Sequence, residues 1–341
     1  MTQRLVKVVG LCVVAIVIGV LSSCGDDSSE DLKPDALLEF WRGVFTRPKP
    51  EETTRVAGNN SELIALGGVL FRDRRLSGAK TRSCASCHMP SRAFSDTGPT
   101  AVGLNRQNLP RNVPTLFNLA WGRSFNWDGS APTLEDQVVG PIEHANELGG
   151  SFPQIVARLN GDDDMVAMFQ EAFWPNSTVD VERPQISKTM IVTALASYVR
   201  SLVSPIRRFD TWVAGDDAAL SRDELQGFRL FVGKGGCVGC HAGWRMSDDE
   251  FHDIGLRLGG LNEGSVTPGK KGVAAFKTPT LRGVSTTAPY MHDGSLASLD
   301  SVVQHYARGV VTRKGLAELL KREISFSAEE RMQLVAFLKT L

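Results

Sequence analysis

Two pentapeptides of one pattern, Cys84-Ala85-Ser86-Cys87-His88 and Cys237-Val238-Gly239-Cys240-His241, carry the most specific chemistry in this 341-residue chain. Two thiols three positions apart can each form a thioether to a vinyl group of a porphyrin, and the next histidine can reach the iron from the same short helix. Written twice, the pattern implies two covalently bound c-type haems, held by Cys84, Cys87, Cys237 and Cys240, with His88 and His241 as iron ligands. The competing reading is a zinc ribbon made of two CxxC pairs. A ribbon needs no histidine after each pair and sets the pairs about 15 to 20 residues apart, whereas Cys84 and Cys237 are 153 residues apart.

The other two cysteines, Cys12 and Cys24, lie in an N-terminal segment that reads as an export signal: Arg4 and Lys7, then an apolar run from Leu11 to Leu21. Leu21-Ser22-Ser23-Cys24 resembles a bacterial lipobox, which makes 1–23 a lipoprotein-type signal peptide and Cys24 a lipid-bearing first residue. Cleavage at small residues is the rival, and an uncleaved anchor is weaker because the run is shorter than the ~20 residues a span needs. Each version exports the folded part, and the expected location is periplasm-facing on a bacterial membrane. Lys plus Arg equal Asp plus Glu at 38 each, which leaves no electrostatic footprint for nucleic acid.

The elements that must position these groups recur. Pro114-Thr115-Leu116, Asp128-Gly129-Ser130 and Leu134 return as Pro279-Thr280-Leu281, Asp293-Gly294-Ser295 and Leu299, all offset by 165 residues. Upstream, Gly67 with Leu70-Phe71 matches Gly227 with Leu230-Phe231, and Tyr198 to Leu202 parallels Phe337 to Leu341. Apolar spacing at Ile191, Leu195, Tyr198 and Leu202 predicts a helix. Ser221-Arg222-Asp223-Glu224 and Ser327-Ala328-Glu329-Glu330 are capping-box starts. Strand signals are sparse. The expected fold is all-α: two tandem cytochrome c-like haem domains related by duplication, 61–205 and 206–341, after a tether over 24–60 rich in Asp, Ser and Pro.

The same offset sets Pro141 against Tyr306. Proline cannot ligate iron and tyrosine can, so the first haem would keep an open face while His241 and Tyr306 close the second. The alternatives for the second haem are a core role for Tyr306, ligation by His305, ligation by Met291, and no protein ligand. Adjacent helical residues point about 100° apart, and Tyr306 shares its side with Val302 and Val303.

Arg111 to Leu116, Trp127-Asp128-Gly129, Gln137 to Leu148, Thr278 to Arg282 and Ala288 to Gly294 together resemble the bacterial di-haem cytochrome c peroxidases and the MauG-type enzymes. The resemblance runs from about Ser61 to Leu341. It implies that Trp127 relays electrons between the haems, that Gln137, Pro141 and Glu147 face the peroxide-binding haem, and that Asn112, Thr287 and Pro289 hold a calcium ion between the domains. The bland readings are a core tryptophan, a solvated loop carboxylate for Glu147 and a turn cap for Asn112. Within the resemblance, Glu147, with Glu143 as second choice, would move the proton between the peroxide oxygens, and Gln137 would hold the peroxide.

Two departures from the family's reductively activated peroxidases stand out. Their blocking histidine lies sixteen residues after the first haem histidine, where this chain has Leu104, and 97–110 contains no histidine. Their methionine ligand on the second haem is replaced by Tyr306, as in the MauG type. Both imply an enzyme that needs no prior reduction. The expected function is reduction of hydrogen peroxide at the N-terminal haem, with electrons from a small cytochrome c or cupredoxin passing through the C-terminal haem. The alternatives are a MauG-type oxidase that modifies residues of a partner protein and a non-catalytic electron carrier.

Overall fold

The computed structural model describes residues 34–175, 185–257 and 274–341; the expected signal peptide, Cys12 and Cys24 lie outside them. The chain forms two compact units, 1–41 and 42–341, and both haem-attachment motifs fall in the second. Helices dominate: α1 (Pro34–Phe45), α2 (Pro50–Ala57), α3 (Ser61–Arg72), α4 (Leu134–Glu143), α5 (Phe152–Asn160), α6 (Asp163–Phe173), α7 (Lys188–Ser201), α8 (Arg208–Val213), α9 (Arg222–Val232), α10 (Leu299–Gln304) and α11 (Ala328–Leu338). The one sheet among the described residues pairs β1 (Phe251–Asp253) antiparallel with β2 (Ala275–Lys277), Phe251 opposite Lys277. The all-α class is therefore correct. No helix among the described residues is long and apolar enough to cross a membrane.

The expected tether differs from the structure. Residues 34–57 are largely helical, and from residue 42 the chain is packed: Phe45 is fully buried against Phe209 and Phe228, with ring centroids 5.5 and 5.8 Å away. Arg47 donates to the Ser204 carbonyl at 2.7 Å and reaches the buried Asp210 carboxylate at 3.5 Å. A linker-like composition was outweighed by one aromatic side chain with a core to enter, and Pro50 starts α2 at its first turn, where a proline costs no hydrogen bond.

Local signals position the rest. Both capping boxes form: Ser221 N–H donates to Glu224 at 2.8 Å and Ser327 N–H to Glu330 at 2.7 Å. α4 and α10 start alike, Thr133 Oγ1 accepting from Asp136 N–H at 3.0 Å and Ser298 Oγ from Ser301 N–H at 3.1 Å. α3 packs on α7, and α9 on α11. Both crossings are backbone-close because a glycine sits at each. A Cβ on Gly67 would fall 2.0 Å from the Ala194 carbonyl oxygen and 2.7 Å from Tyr198 Cβ; one on Gly227 would fall 2.0 Å from the Gln333 oxygen and 2.8 Å from Phe337 Cβ. Gly67→Ala or Gly227→Ala must force the pair apart. Each is expected to cost about 1–3 kcal/mol, the usual range for overpacking, and to lower the thermal midpoint. Gly43→Ala, with nothing within 4 Å of the new methyl, should stabilise by up to about 1 kcal/mol through helix propensity.

Candidate active site

Each CxxCH segment folds as one short helical turn, His88 N–H bonding to the Cys84 carbonyl and His241 N–H to the Cys237 carbonyl, both at 2.9 Å. That turn puts two thiols and an imidazole on one wall. Each imidazole is then oriented by a carbonyl a few residues on: His88 Nδ1 lies 2.8 Å from Phe94 O, and His241 Nδ1 2.8 Å from Met246 O. Phe94 and Met246 have positive φ (59° and 53°), a conformation costly for residues with a side chain. With Nδ1–H donating, Nε2 carries the lone pair that ligates iron. Burial lowers both histidine pKa values, so the rings are neutral as ligation requires.

The two thiol pairs open into different cavities. One is lined by Cys84, Cys87 and His88; the other by Cys237, Cys240 and His241. A single four-cysteine zinc site is thereby excluded. Both are walled by apolar side chains such as Leu116, Ile142, Leu195, Val303 and Leu334. Two thiols, a freed imidazole Nε2 and an apolar hollow fit a haem c in each.

The first cavity gathers Gln137, Pro141 and Glu147 with His88. Pro141 sits inside α4 and brings neither N–H nor a ligand atom. Glu147, on the loop after α4, is half-buried; desolvation raises its pKa, against a smaller opposing pull from His144, whose Nδ1 lies 3.6 Å away. Glu143 is outside this cavity and faces Lys188 at 3.6 Å. Leu104 turns its backbone N–H to the Asn146 carbonyl, 2.8 Å away. Of 97–110 only Leu109 lines the cavity, so that loop presents no ligating side chain.

In the second cavity Tyr306 joins His241, beside Val302 and Val303. α10 passes at its end into a π-helical turn, His305–Gly309, a rare form that accompanies functional positions. The turn separates neighbours: Tyr306 faces the cavity, and His305 is spent on Ile254 O, 3.0 Å from its Nε2. Burial raises the Tyr306 phenol pKa. Met291 also lines this cavity, so His305 drops out as a rival and Met291 stays in reach.

Between the cavities runs the segment Asn112–Leu116. Val113, Pro114 and Thr115 line the second cavity and Leu116 the first. Trp127 lines the second cavity and donates its indole N–H to Asn112 O at 2.8 Å. The Asn112 amide donates to Pro99 O at 3.0 Å and to Pro289 O at 3.3 Å, and Thr287 stands on the same wall. The Asn112 side chain thus presents its N–H groups to carbonyl oxygens on both sides of the segment.

Four charged wall residues were not singled out from the sequence. Arg82 lines the first cavity; His252, Lys277 and Arg322 line the second. Asp248, 2.8 Å from His252, pushes its pKa up to about 10, while burial lowers that of Lys277, whose ammonium donates to Ser124 O at 2.6 Å. Charged groups so placed could meet the carboxylates of a porphyrin. Nearness in sequence to Cys84 for Arg82, and to Thr278-Pro279 for Lys277, was the available signal, too weak without the fold; His252 and Arg322 had none.

The family model for di-haem cytochrome c peroxidase matches residues 61–218. The chain is 39% identical over 326 residues to the methylamine utilization protein MauG of Methylorubrum extorquens, covering 95% of this chain and 88% of that one. It is 32% identical to the cytochrome c551 peroxidase of Nitrosomonas europaea, covering 88% and 86%. The crystal structure of a MauG-like protein associated with microbial copper homeostasis superposes with a TM-score of 0.72 at 29% identity, over 92% and 95% of the two chains. Twin thiol-and-histidine cavities with unlike linings thus meet a sequence likeness that spans nearly the whole chain, and the protein belongs to the di-haem cytochrome c peroxidase and MauG family.

Proposed function

We propose that this protein is a di-haem c-type peroxidase that reduces hydrogen peroxide in the first cavity, with electrons arriving through the second. The observation that carries this is the unequal lining of the two cavities: Pro141 with Gln137 and Glu147 in one, Tyr306 in the other. Haem iron bound at His88 supplies the redox chemistry that breaks the O–O bond. Gln137 holds the peroxide by hydrogen bonding. Glu147 takes the proton from one peroxide oxygen and delivers it to the other, a role its raised pKa suits. Trp127 provides the aromatic connection toward the second cavity, where His241 and Tyr306 hold the electron-transfer haem. With no ligating side chain from 97–110 in the first cavity, no prior reduction is needed.

Other parts of this reading rest on the same arrangement. The matching caps, glycine crossings and histidine orientations support a duplicated fold, with the halves meeting near Pro205. Asn112, with the backbone of Thr287 and Pro289, would hold a calcium ion once the Asn112 amide gives up its hydrogen bond to Pro289 O; one calcium per chain by elemental analysis checks this. Lipid on Cys24 anchors the exported protein, which the mass of the mature N-terminal peptide checks.

Electron paramagnetic resonance of the oxidised, haem-loaded protein tests the central point. One high-spin and one low-spin ferric signal are expected, and two low-spin signals would sink it. A second reading, MauG-type oxidation of residues in a partner protein, draws on Tyr306 and on the 39% identity to MauG. Peroxide-driven oxidation of a reduced cytochrome supports the first reading; a peroxide-driven mass change in a co-encoded protein supports the second. A plain electron carrier has no use for a half-buried carboxyl in a haem cavity.

A further inference from the structure

The helix pair beside the first cavity ends differently from its counterpart beside the second. Phe71 of α3 lines the first cavity, its ring 6.5 Å from the His88 imidazole. Its other side meets Tyr198 of α7, with 5.1 Å between centroids. Tyr198 is half-buried, and its hydroxyl accepts a hydrogen bond from Arg72 Nη2 at 3.3 Å on the exposed side of the pair. The same guanidinium stands 5.7 Å from the phenol ring. Since Arg72 can only donate, the phenol's own proton is left to face water.

The second cavity repeats the crossing without the phenol. Phe231 lines it and packs on Phe337 at 5.2 Å, and Gly227 abuts Phe337 as Gly67 abuts Tyr198. Phe337 is fully buried, and the residue after Phe231 is Val232 where α3 has Arg72. Phenylalanine therefore satisfies the packing. A tyrosine that reaches water with an arginine on its oxygen does something packing does not ask for, and it does so beside the peroxide cavity.

We propose that Tyr198 is a surface oxidation site, at which oxidising equivalents made from peroxide in the first cavity are passed, by way of His88 and Phe71, to small phenolic reductants. This rests on the peroxidase reading above. In each step Tyr198 gives one electron inward and its hydroxyl proton to water, and becomes a neutral phenoxyl radical. An incoming phenol breaks its own O–H bond and returns a hydrogen atom, which restores Tyr198. Two such steps supply the two electrons and two protons that turn one hydrogen peroxide into two waters, and release two substrate phenoxyl radicals. Phe71 has no proton to release and serves as a bridge; Tyr198 is the first side chain on this path able to lose an electron and a proton together. Hydrogen-atom exchange between phenols needs hydroxyl contact and no deep pocket, which matches a phenol at the surface.

The test treats the haem-loaded protein with hydrogen peroxide and a nitroso spin trap, then locates the adduct by peptide mass spectrometry. The chain has three tyrosines, which keeps the assignment simple. The adduct is expected on Tyr198, retained in Tyr290→Phe and lost in Tyr198→Phe. The resting paramagnetic spectrum of Tyr198→Phe should match the parent, which shows that the haem sites are intact. Guaiacol should be oxidised by the parent and not by Tyr198→Phe. A protein that consumes peroxide yet is labelled only elsewhere, or a Tyr198→Phe variant that oxidises guaiacol as fast as the parent, overturns this proposal alone. A haem spectrum indifferent to peroxide overturns the peroxidase reading and this proposal with it.

Discussion

Glu147→Gln is expected to slow the reaction with hydrogen peroxide by about 10² to 10⁴, the usual worth of a placed acid–base group. The amide keeps the size of the side chain and its place on the loop after α4, but it cannot carry a proton between two oxygens. Stopped-flow spectra after mixing with peroxide give the rate. The resting spectra of both haems should be unchanged, because Glu147 shares the cavity with His88 without bonding to it. A pH profile adds a second check. Burial raises the Glu147 pKa above the ordinary carboxyl value, and the group must be ionised to accept the first proton. The rate should therefore fall as pH drops through that raised pKa, and the fall should vanish in the variant. Glu143→Gln should change little, since Glu143 stands outside with Lys188. An unchanged rate in Glu147→Gln would reassign the proton carrier.

Tyr306→Phe is expected to abolish the low-spin ferric signal of the second haem and to raise its reduction potential by on the order of 0.1 V, a fraction of the ~0.8 V that axial ligands command. A phenolate donates charge to ferric iron and favours it over ferrous. Desolvation raises the phenol's pKa, so the metal's own charge is what would hold it ionised. Phenylalanine fills the same space without the oxygen. Redox titration with paramagnetic resonance distinguishes the candidates in one cavity. If Met291 were the ligand, Tyr306→Phe would leave the signal and Met291→Leu would remove it. His305→Gln should spare the signal, because that ring is committed to the Ile254 carbonyl.

Much of this was legible before the fold. Thioether attachment needs two thiols and a histidine within five contiguous residues, and the serine caps of α9 and α11 need only a glutamate three positions on, so both are local and can be read directly. The 165-residue offset relates Thr133 to Ser298, two caps that form alike; it sets Pro141, inside α4, against Tyr306, in the π turn that follows α10. The choice between His305 and Tyr306 rested on regular helical spacing, whereas the chain makes a π turn there. The cavity-facing residue came out the same, but the exit of His305 depends on a carbonyl 51 positions away.

Residues 42–57 were misjudged because composition describes a segment's preference in water, and Phe45 had a hydrophobic core to enter. Arg82, His252, Lys277 and Arg322 were missed for a related reason: a charged residue is ordinary in sequence and becomes a cavity wall only when distant segments fold around it. The covalent chemistry and the helix starts were set by contiguous residues and belong to the sequence alone. Which carboxyl lost its water, which ring faced the open space, and which aromatic neighbours bridge His88 to the surface were decided by packing between segments far apart in the chain. Burial, unlike bonding, is a property of everything that surrounds a residue.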